Sequence, residues 1–303
     1  MSEGITYERK EMKTEVKKLD STKCEINVAV TGELIKNKFE EVFTQIAKEA
    51  KVPGFRPGKA PRDVLEKHYA SGVHEQVLKE LVPDIYNQAI VAEKLDVIEL
   101  PQITDVKLDR NSLSFKAVVE VTPEIAVKNY KNQEIKYKAV SVSSEEIDRQ
   151  IDSVKESAQA AALDDQFSRS LGYPNLAELK KSVERQIFVT KENQERRRIE
   201  NDLIESISKG LEFKLPKSLV ERQTLDMLRQ TKIDLAMKGV PRDKIDAQEK
   251  LLLEGIQPEA TKQVKVYLIL SAIAKKENIV IDDHMPRKVM EFLLREANWQ
   301  LTS

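Results

Sequence analysis

The feature that most constrains this sequence is a long stretch without a helix breaker, from Asn175 to Gly210. Asn175 and Glu178 have the spacing of a capping box, which favours a helix start at this point. A single helix over the stretch has about 33 residues and a length of ~50 Å. Such a length is unusual in a compact globule, so we predict an elongated helical arm. The apolar residues predicted to form its buried face are Leu176, Leu179, Val183, Ile187, Leu203 and Ile207.

The overall composition agrees with a mostly helical protein of more than one domain. The chain has 303 residues, which is more than one compact core usually holds. Aromatic residues make up only 5%, and Gly and Pro are sparse, as in helix-rich proteins. Basic and acidic residues balance at 50 and 51, so net charge gives no reason to expect a nucleic-acid partner. Any such contact must come from a local patch.

Residues 12–122 carry the patterns of a small α+β domain. Alternating apolar residues predict four strands, and helical spacing predicts three helices between the two strand pairs. The predicted strands are Lys13–Lys17, Cys24–Val30, Ile103–Leu108 and Leu113–Val121. The predicted helices run from about Ile35 to Ala50, from Pro61 to Tyr69 and from Val73 to Glu93, with residues 70–72 as a loop between the last two.

Cysteine usage and hydropathy bear on the cellular location. The single cysteine, Cys24, excludes an intramolecular disulfide and fits a reducing compartment. It lies in step with the apolar positions of its strand, which favours a buried residue over a nucleophile. Residues 1–18 are polar and charged, and no apolar run approaches membrane-spanning length. We therefore expect a soluble, cytoplasmic protein without a membrane partner.

A short loop between two of the predicted helices carries the most distinctive side chains. The stretch Val52–Pro61 contains two glycines and three prolines, so it forms a stiff, projecting turn. Phe55 is flanked there by Arg56 and Lys59, with Arg62 at the edge and no acid in the loop. An aromatic ring held beside cations suits contact with a phosphate backbone. The alternative is an ordinary solvated turn.

The sequence of this loop, Gly54-Phe55-Arg56-Pro57-Gly58-Lys59-Ala60-Pro61, resembles the ribosome-docking signature of the trigger factor family of bacterial nascent-chain chaperones. The family pattern is Gly-Phe-Arg-x-Gly-x-x-Pro between two helices of the N-terminal domain. Pro57 stands where the best-known form has Lys, so one basic contact is missing or has passed to Lys59. The element order of residues 12–122 is similar to the tail domain of this family. The order from Asn175 onward is similar to its C-terminal body.

The resemblance implies three parts of the chain. They are a ribosome-binding tail domain at 1–122, a linker with a strand and a helix at 123–162, and a helical C-terminal chaperone body with an arm at 163–303. The linker lies where the family carries a peptidyl-prolyl isomerase domain of FK506-binding type, and the motifs of that domain do not occur in it. The expected fold class is therefore an α+β N-terminal domain followed by an elongated all-α C-terminal domain.

The resemblance also implies a function. It predicts an ATP-independent chaperone that docks on the ribosome near the exit tunnel and shields nascent polypeptides. The implied contacts with large-subunit protein and rRNA are Gly54, Phe55, Arg56, Gly58 and Lys59. The candidate contacts to an unfolded client are Met227, Met237 and the leucines of a helix predicted at 217–238, with a core role as the alternative. A homodimer of the free protein is an alternative to the monomer.

The sequence shows no constellation for catalysis or for metal binding. It has no His-x-x-x-His, no paired-cysteine spacing and no Gly-x-Ser-x-Gly. His68 and His74 flank the predicted loop at 70–72, where a surface role is favoured. The triplet Arg196–Arg198 lies among glutamates, which favours a solvated face over a phosphate site. We predict no enzymatic activity and no cofactor. Two alternatives are a peptidyl-prolyl isomerase, by family label, and a ribosome-independent assembly chaperone or scaffold.

Overall fold

The computed structural model of the chain describes residues 12–49, 55, 61–158 and 162–302. Backbone contacts group the chain into two units, each of which consists of two segments. The first unit comprises Met1–Glu124 and Phe213–Lys265, and the second comprises Ile125–Glu212 and Val266–Ser303. The division into parts at 1–122, 123–162 and 163–303 stays a prediction.

The described residues form a small antiparallel sheet, a two-stranded parallel sheet and a larger number of helices, so the expected mixture of α+β and all-α regions is confirmed. The strands are β1 Met12–Lys18, β2 Lys23–Thr31, β3 Gln102–Leu108, β4 Ser112–Glu120, β5 Glu134–Tyr137 and β6 Asn298–Leu301. The helices are α1 Glu33–Glu49, α2 Arg62–Glu93, α3 Ser144–Ser157, α4 Asp165–Ser170, α5 Leu176–Ser208, α6 Lys217–Met237, α7 Arg242–Ala247, α8 Glu249–Lys276 and α9 Met285–Arg295.

The sheet of the first unit has the strand order β1-β2-β4-β3, with every neighbouring pair antiparallel. All four strands predicted for residues 12–122 are confirmed. Their two hairpin turns are closed by aspartates. Asp20 accepts a hydrogen bond from the Thr22 amide at 2.7 Å, and Asp109 accepts one from the Asn111 amide at 2.8 Å. Such side-chain bonds stabilise tight turns locally.

The helices α1 and α2 cover one face of this sheet. Successive side chains of a strand point to opposite faces, so every second residue of β2 and β4 faces the helices. Each buried aliphatic side chain contributes about 1.5–3 kcal/mol to folding relative to an exposed one, which makes this layer the core of the unit. The buried strand residues are Cys24, Ile26, Val28, Val30, Leu113, Phe115, Ala117 and Val119.

The helix α2 runs without interruption from Arg62 to Glu93, so the loop predicted at residues 70–72 is wrong. Two helices, not three, lie between β2 and β3 in the described part of the chain. Glycine inside a helix costs roughly 1 kcal/mol relative to alanine, which is why Gly72 suggested a break. Val73 and Val77 are completely buried one and five residues later. Their burial outweighs that local cost.

The helix α6 begins beside the sheet of the first unit. Its N-cap residue is Pro216, whose side chain makes no capping hydrogen bond. Glu120, the last residue of β4, takes that role. Its carboxylate accepts hydrogen bonds from the Ser218 amide at 3.0 Å and from the Ser218 hydroxyl at 2.6 Å. Lys214 adds an ion pair with Asp20 at 2.5 Å.

The remaining helices of the first unit follow α6. Gly239, with φ of 83°, ends that helix, in agreement with the sequence prediction. Lys232 on α6 forms ion pairs with Asp246 at 3.1 Å and Glu249 at 2.7 Å, which hold it to α7 and to the start of α8. The sequence also predicts a helix from Pro258 to Glu277, but the helix α8 begins earlier, at Glu249. Pro258 is accommodated inside the helix, and Ala260 just after it is completely buried.

The second unit contains the long helix α5, whose predicted length and start are confirmed. It has 33 residues, and its cap Asn175 accepts a hydrogen bond from the Glu178 amide at 2.9 Å. Ile151 of α3 and Phe167 of α4 pack in one buried cluster with Leu179 and Val183 of α5. The strand β6 was not predicted. It pairs in parallel with β5, so that Trp299 lies opposite Ile135.

Candidate functional site

The loop singled out by the sequence joins the end of α1 to the start of α2. Gly54, Arg56, Gly58 and Lys59 lie outside the described residues. Phe55 is described, and its side chain is 42% exposed. A large apolar ring is therefore accessible at this end of the helix pair.

Arg62, the first residue of α2, links three elements at the base of the loop. Its guanidinium donates two hydrogen bonds to the Glu40 carboxylate on α1, of which Nη1–Oε2 is 2.6 Å. Its Nε donates to Glu66 at 3.0 Å, one turn further along α2. The other oxygen of Glu66 accepts a hydrogen bond at 2.6 Å from Arg110, in the β3–β4 turn. We refer to Glu40, Arg62, Glu66 and Arg110 as the stem network.

The stem network changes the interpretation of Arg62. The loop itself contains no acid, but the fold brings two carboxylates to this arginine. Hydrogen bonds from Arg62 lower the pKa of Glu40, and those from Arg110 and Arg62 lower the pKa of Glu66. The same contacts, first with Glu40 and then with Glu66, raise the pKa of Arg62 further above its usual value. The guanidinium of Arg62 is thus paired with neighbouring carboxylates.

Apolar and aromatic contacts between α1 and α2 lie beside the stem network. The guanidinium of Arg62 lies 5.6 Å from the centre of the Phe43 ring, within the range of a cation–π contact. Ile46 and Ala47 of α1 pack in a small apolar cluster with Val64 and Tyr69 of α2. The two helices that carry the loop are therefore packed together close to its ends.

The two histidines near this region lie on the continuous helix α2. The ring of His74 packs edge-on against Phe39 of α1, with centroids 5.1 Å apart, and His68 is exposed. His74 is six positions after His68, which places the two on different sides of the helix. Within the described residues, no group of three histidine, cysteine, aspartate or glutamate side chains is placed to hold a metal ion.

The candidate client contacts lie on the helical segment of the first unit. Met237 is 82% exposed at the end of α6, whereas Met227 is only partly accessible. Three further exposed apolar residues occur on the same segment. Leu225 is one of the leucines predicted as contacts on α6, whereas Ile233 and Leu251 were not predicted. The apolar character of these two gave no signal, because a helical stripe of apolar residues is as typical of a core.

The arginine triplet of α5 makes contacts inside the second unit. Arg196 pairs with Glu200 at 3.0 Å, and Arg198 pairs with Glu195 at 2.7 Å. Arg198 also donates a hydrogen bond to the Lys136 carbonyl oxygen on β5 at 2.7 Å. Hydrogen bonds from Arg198 and from the Lys138 amide lower the pKa of Glu195 to about 2. Two of the three arginines thus pair with acids, as the interpretation as a charged face requires.

Two family profiles match the chain one after the other. The profile described as bacterial trigger factor protein (TF) matches residues 12–154. The profile described as bacterial trigger factor protein (TF) C-terminus matches residues 175–301. The fold defines a mostly helical, multidomain protein with a small α+β region at its N-terminal end. The matches define its family: this chain belongs to the bacterial trigger factors.

Individual relatives are similar over most of their length. A trigger factor from Halothermothrix orenii is 25% identical, with 91% of this chain and 89% of the relative covered. One from Solibacter usitatus is 23% identical, with 86% and 85% covered. One from Mycolicibacterium vanbaalenii is 30% identical over 93% of this chain, but over only 54% of its own length.

One solved structure shares the fold. Its title is "Promiscuous Substrate Recognition in Folding and Assembly Activities of the Trigger Factor Chaperone". The match covers 93% of this chain and 99% of that chain, with a TM-score of 0.53 and 13% sequence identity. At this level of identity, the likeness is one of fold.

The positions of the two profile matches bear on the isomerase domain of the family. Only residues 155–174 lie between them, and twenty residues are too few for a globular module of that kind. The alignment with the Solibacter usitatus relative runs over 358 positions, more than the 303 residues of this chain. That relative therefore contains residues without a counterpart here. The chain is a form of the family without the isomerase domain.

None of the described helices combines the length and the apolar character that crossing a lipid bilayer requires.

Proposed function

We propose that this chain is an ATP-independent chaperone that docks on the ribosome near the exit tunnel and shields nascent polypeptides. The observation that carries the proposal is the sequence Gly54–Pro61, with the exposed ring of Phe55, at the junction of two helices that are packed together. Membership of the trigger factor family supports it.

The proposed docking contacts follow from the chemistry of the loop. Arg56 and Lys59 supply ion pairs to rRNA phosphates and to acidic groups of a large-subunit protein. Phe55 supplies an apolar ring that inserts between surface groups or stacks on an unpaired base, a contact of about 1–3 kcal/mol. Gly54 and Gly58 have the backbone freedom that a tight turn requires.

The proposed client surface lies on the segment from α6 to α8. Its exposed apolar side chains are separated by charged residues, so each offers a weak, independent contact to an unfolded chain. Met237 suits varied partners, since the methionine side chain is flexible and polarisable. Weak, adaptable contacts favour promiscuous binding and release. The proposal includes a cytoplasmic location, and the free protein is either a monomer or a homodimer.

Ribosome co-sedimentation at two salt concentrations tests the docking step. The variant Phe55→Ala/Arg56→Ala/Lys59→Ala is expected to stay in the supernatant at both, because it lacks the ring and both cations. A matched control, Phe188→Ala/Arg197→Ala/Lys209→Ala, removes the same side-chain types from exposed positions along and just after α5. We expect the control to co-sediment like the wild type.

Two outcomes would count against the proposal. Salt-resistant co-sedimentation of the loop variant would remove the loop from the docking site. A wild-type chain that prevents aggregation but does not bind ribosomes would support the ribosome-independent chaperone instead.

A further inference from the structure

We infer that Arg62 is a positioning residue of the docking loop and not one of its ribosome contacts, an inference that rests on the proposed function. In sequence, Arg62 follows the cations Arg56 and Lys59, so the sequence alone suggests that it also binds phosphate. The stem network assigns it a different role, which is to fix the start of α2 against α1 and the sheet.

The guanidinium of Arg62 already has acidic partners. Three of its nitrogens donate to carboxylates, two to Glu40 and one to Glu66. The stem network contains two cations and two anions, so its formal charges cancel. A phosphate that approached Arg62 would meet both carboxylates and would have to displace them. Arg62 therefore has little charge and few free hydrogen-bond donors available for an anionic partner.

The stem network lies next to the end of the loop. Only Pro61 separates Arg62 from the Gly54–Ala60 stretch. Glu40 holds Arg62 from α1, which leads into the loop, while Arg110 reaches Glu66 from the β3–β4 turn. Three elements thus fix the point at which the loop joins α2. A short, stiff loop with a fixed end presents Phe55 in fewer orientations, which lowers the entropic cost of docking.

The stem network has a geometry that can order an exposed surface. A single exposed ion pair contributes little, because solvent screens it and the side chains must be ordered. Here the Arg62–Glu40 pair has two hydrogen bonds, Glu66 is shared by two arginines, and the Phe43 ring lies beneath the guanidinium. Bidentate geometry and a network of charges are the conditions under which exposed pairs do order a surface.

The variant Glu40→Gln separates the two roles of Arg62 by the sign of its effect. The substitution leaves the arginine in place and removes its principal partner. If Arg62 contacts phosphate, a freed guanidinium binds ribosomes more tightly. If Arg62 positions the loop, binding weakens because the start of α2 is less well held.

The matched control is Glu41→Gln, the next residue of α1. It changes the net charge by the same amount, and it loosens a bond of 3.0 Å to Lys38, which lies outside the stem network. Comparison of the two variants therefore cancels the general effect of one added positive charge on ribosome affinity. Both positions are exposed, so both variants are expected to fold.

The measurement is the ribosome dissociation constant of the wild type and of both variants, with the full chain at fixed salt. We expect Glu40→Gln to bind about fivefold more weakly than Glu41→Gln, at the upper end of the effect of an exposed ion pair. Equal or tighter binding by Glu40→Gln would overturn the inference.

A measurement without ribosomes separates this inference from the proposed function. Amide hydrogen exchange in the first turn of α2, in the free protein, is expected to be faster in Glu40→Gln than in Glu41→Gln. Equal exchange would show that the network does not hold the start of the helix. If the loop variant co-sediments like the wild type, the proposed function fails whatever the exchange shows.

Discussion

The substitution Glu120→Gln tests whether a carboxylate from the sheet caps the helix α6. Glu120 lies at the end of β4, and its side chain is only 13% exposed. Burial opposes its ionisation, but the hydrogen bonds from Ser218 and the charge of Lys23 outweigh burial and lower the pKa of Glu120. The folded protein therefore favours the charged form.

The expected loss of stabilisation follows from the interactions that glutamine retains and those that it removes. Its amide oxygen still accepts a hydrogen bond from Ser218, but the charge is gone. Hydrogen bonds to a charged acceptor contribute about 1.5–3 kcal/mol, against about 0.5–1.5 kcal/mol for neutral partners. A charge at a helix N-terminus adds about 0.3–1 kcal/mol. We expect a loss of about 1–2 kcal/mol at neutral pH, a factor of roughly 5–30 in local opening.

The stabilisation by the Glu120 carboxylate should decrease as the pH is lowered. A carboxyl whose folded-state pKa is lowered contributes its full stabilisation above the unfolded-state pKa of about 4.3. That contribution disappears as pH falls through the folded-state value, because the wild-type side chain then becomes neutral like glutamine. The wild type and the variant should therefore differ at about pH 7 and converge at a pH below the folded-state pKa of Glu120.

The assay is amide hydrogen exchange in the first turn of α6, expressed as protection factors at both pH values. Exchange reports local opening and does not require the whole chain to unfold in one step. The control is Glu124→Gln, which removes the same charge from an exposed position four residues later. Equal protection in wild type and Glu120→Gln at neutral pH, or a loss that persists in acid, would refute the capping role.

Two further predictions concern the first unit. Gly72→Ala should raise the free energy of unfolding by roughly 0.5–1 kcal/mol in urea denaturation, because the added Cβ meets no atom within 4 Å and the helix continues through this position. A destabilised variant would indicate a break in α2. Met237→Ser/Leu251→Ser should leave ribosome binding intact and weaken the suppression of aggregation of a chemically unfolded test protein, measured by light scattering. Undiminished suppression would remove these side chains from the client surface.

Much of the fold could be predicted because its signals are local. The strands of the first sheet follow from alternation within single segments, and α5 follows from Asn175, Glu178 and the lack of breakers up to Gly210. The errors arose where packing overrides such signals. Gly72 and Pro258 suggested helix boundaries, but the buried residues that follow each of them keep the helices continuous. The strand β6 has only four residues, so the alternation of Trp299 and Leu301 with polar neighbours was too short to predict a strand.

The candidate site also has one part that the sequence predicts and one part that it does not. Phe55 and its neighbours are visible in sequence because the docking signature is contiguous. The stem network is not visible, because Glu40 and Arg62 are 22 residues apart and Glu66 and Arg110 are 44 residues apart. Only the fold brings these charges together, and only the fold shows that the guanidinium of Arg62 is paired with two carboxylates.

The parallel pairing of β5 with β6 has a consequence for the order of synthesis. Residue 134 pairs with residue 298, so the two strands leave the ribosome 164 residues apart. At about 5–20 residues per second, β5 waits on the order of ten to thirty seconds for its partner. During that time α3 and the first turns of α5 can already pack around Ile151 and Leu179, because these residues are close in sequence. The two-stranded sheet is therefore completed only once β6 has been made, well after the elements that are close to β5 in sequence.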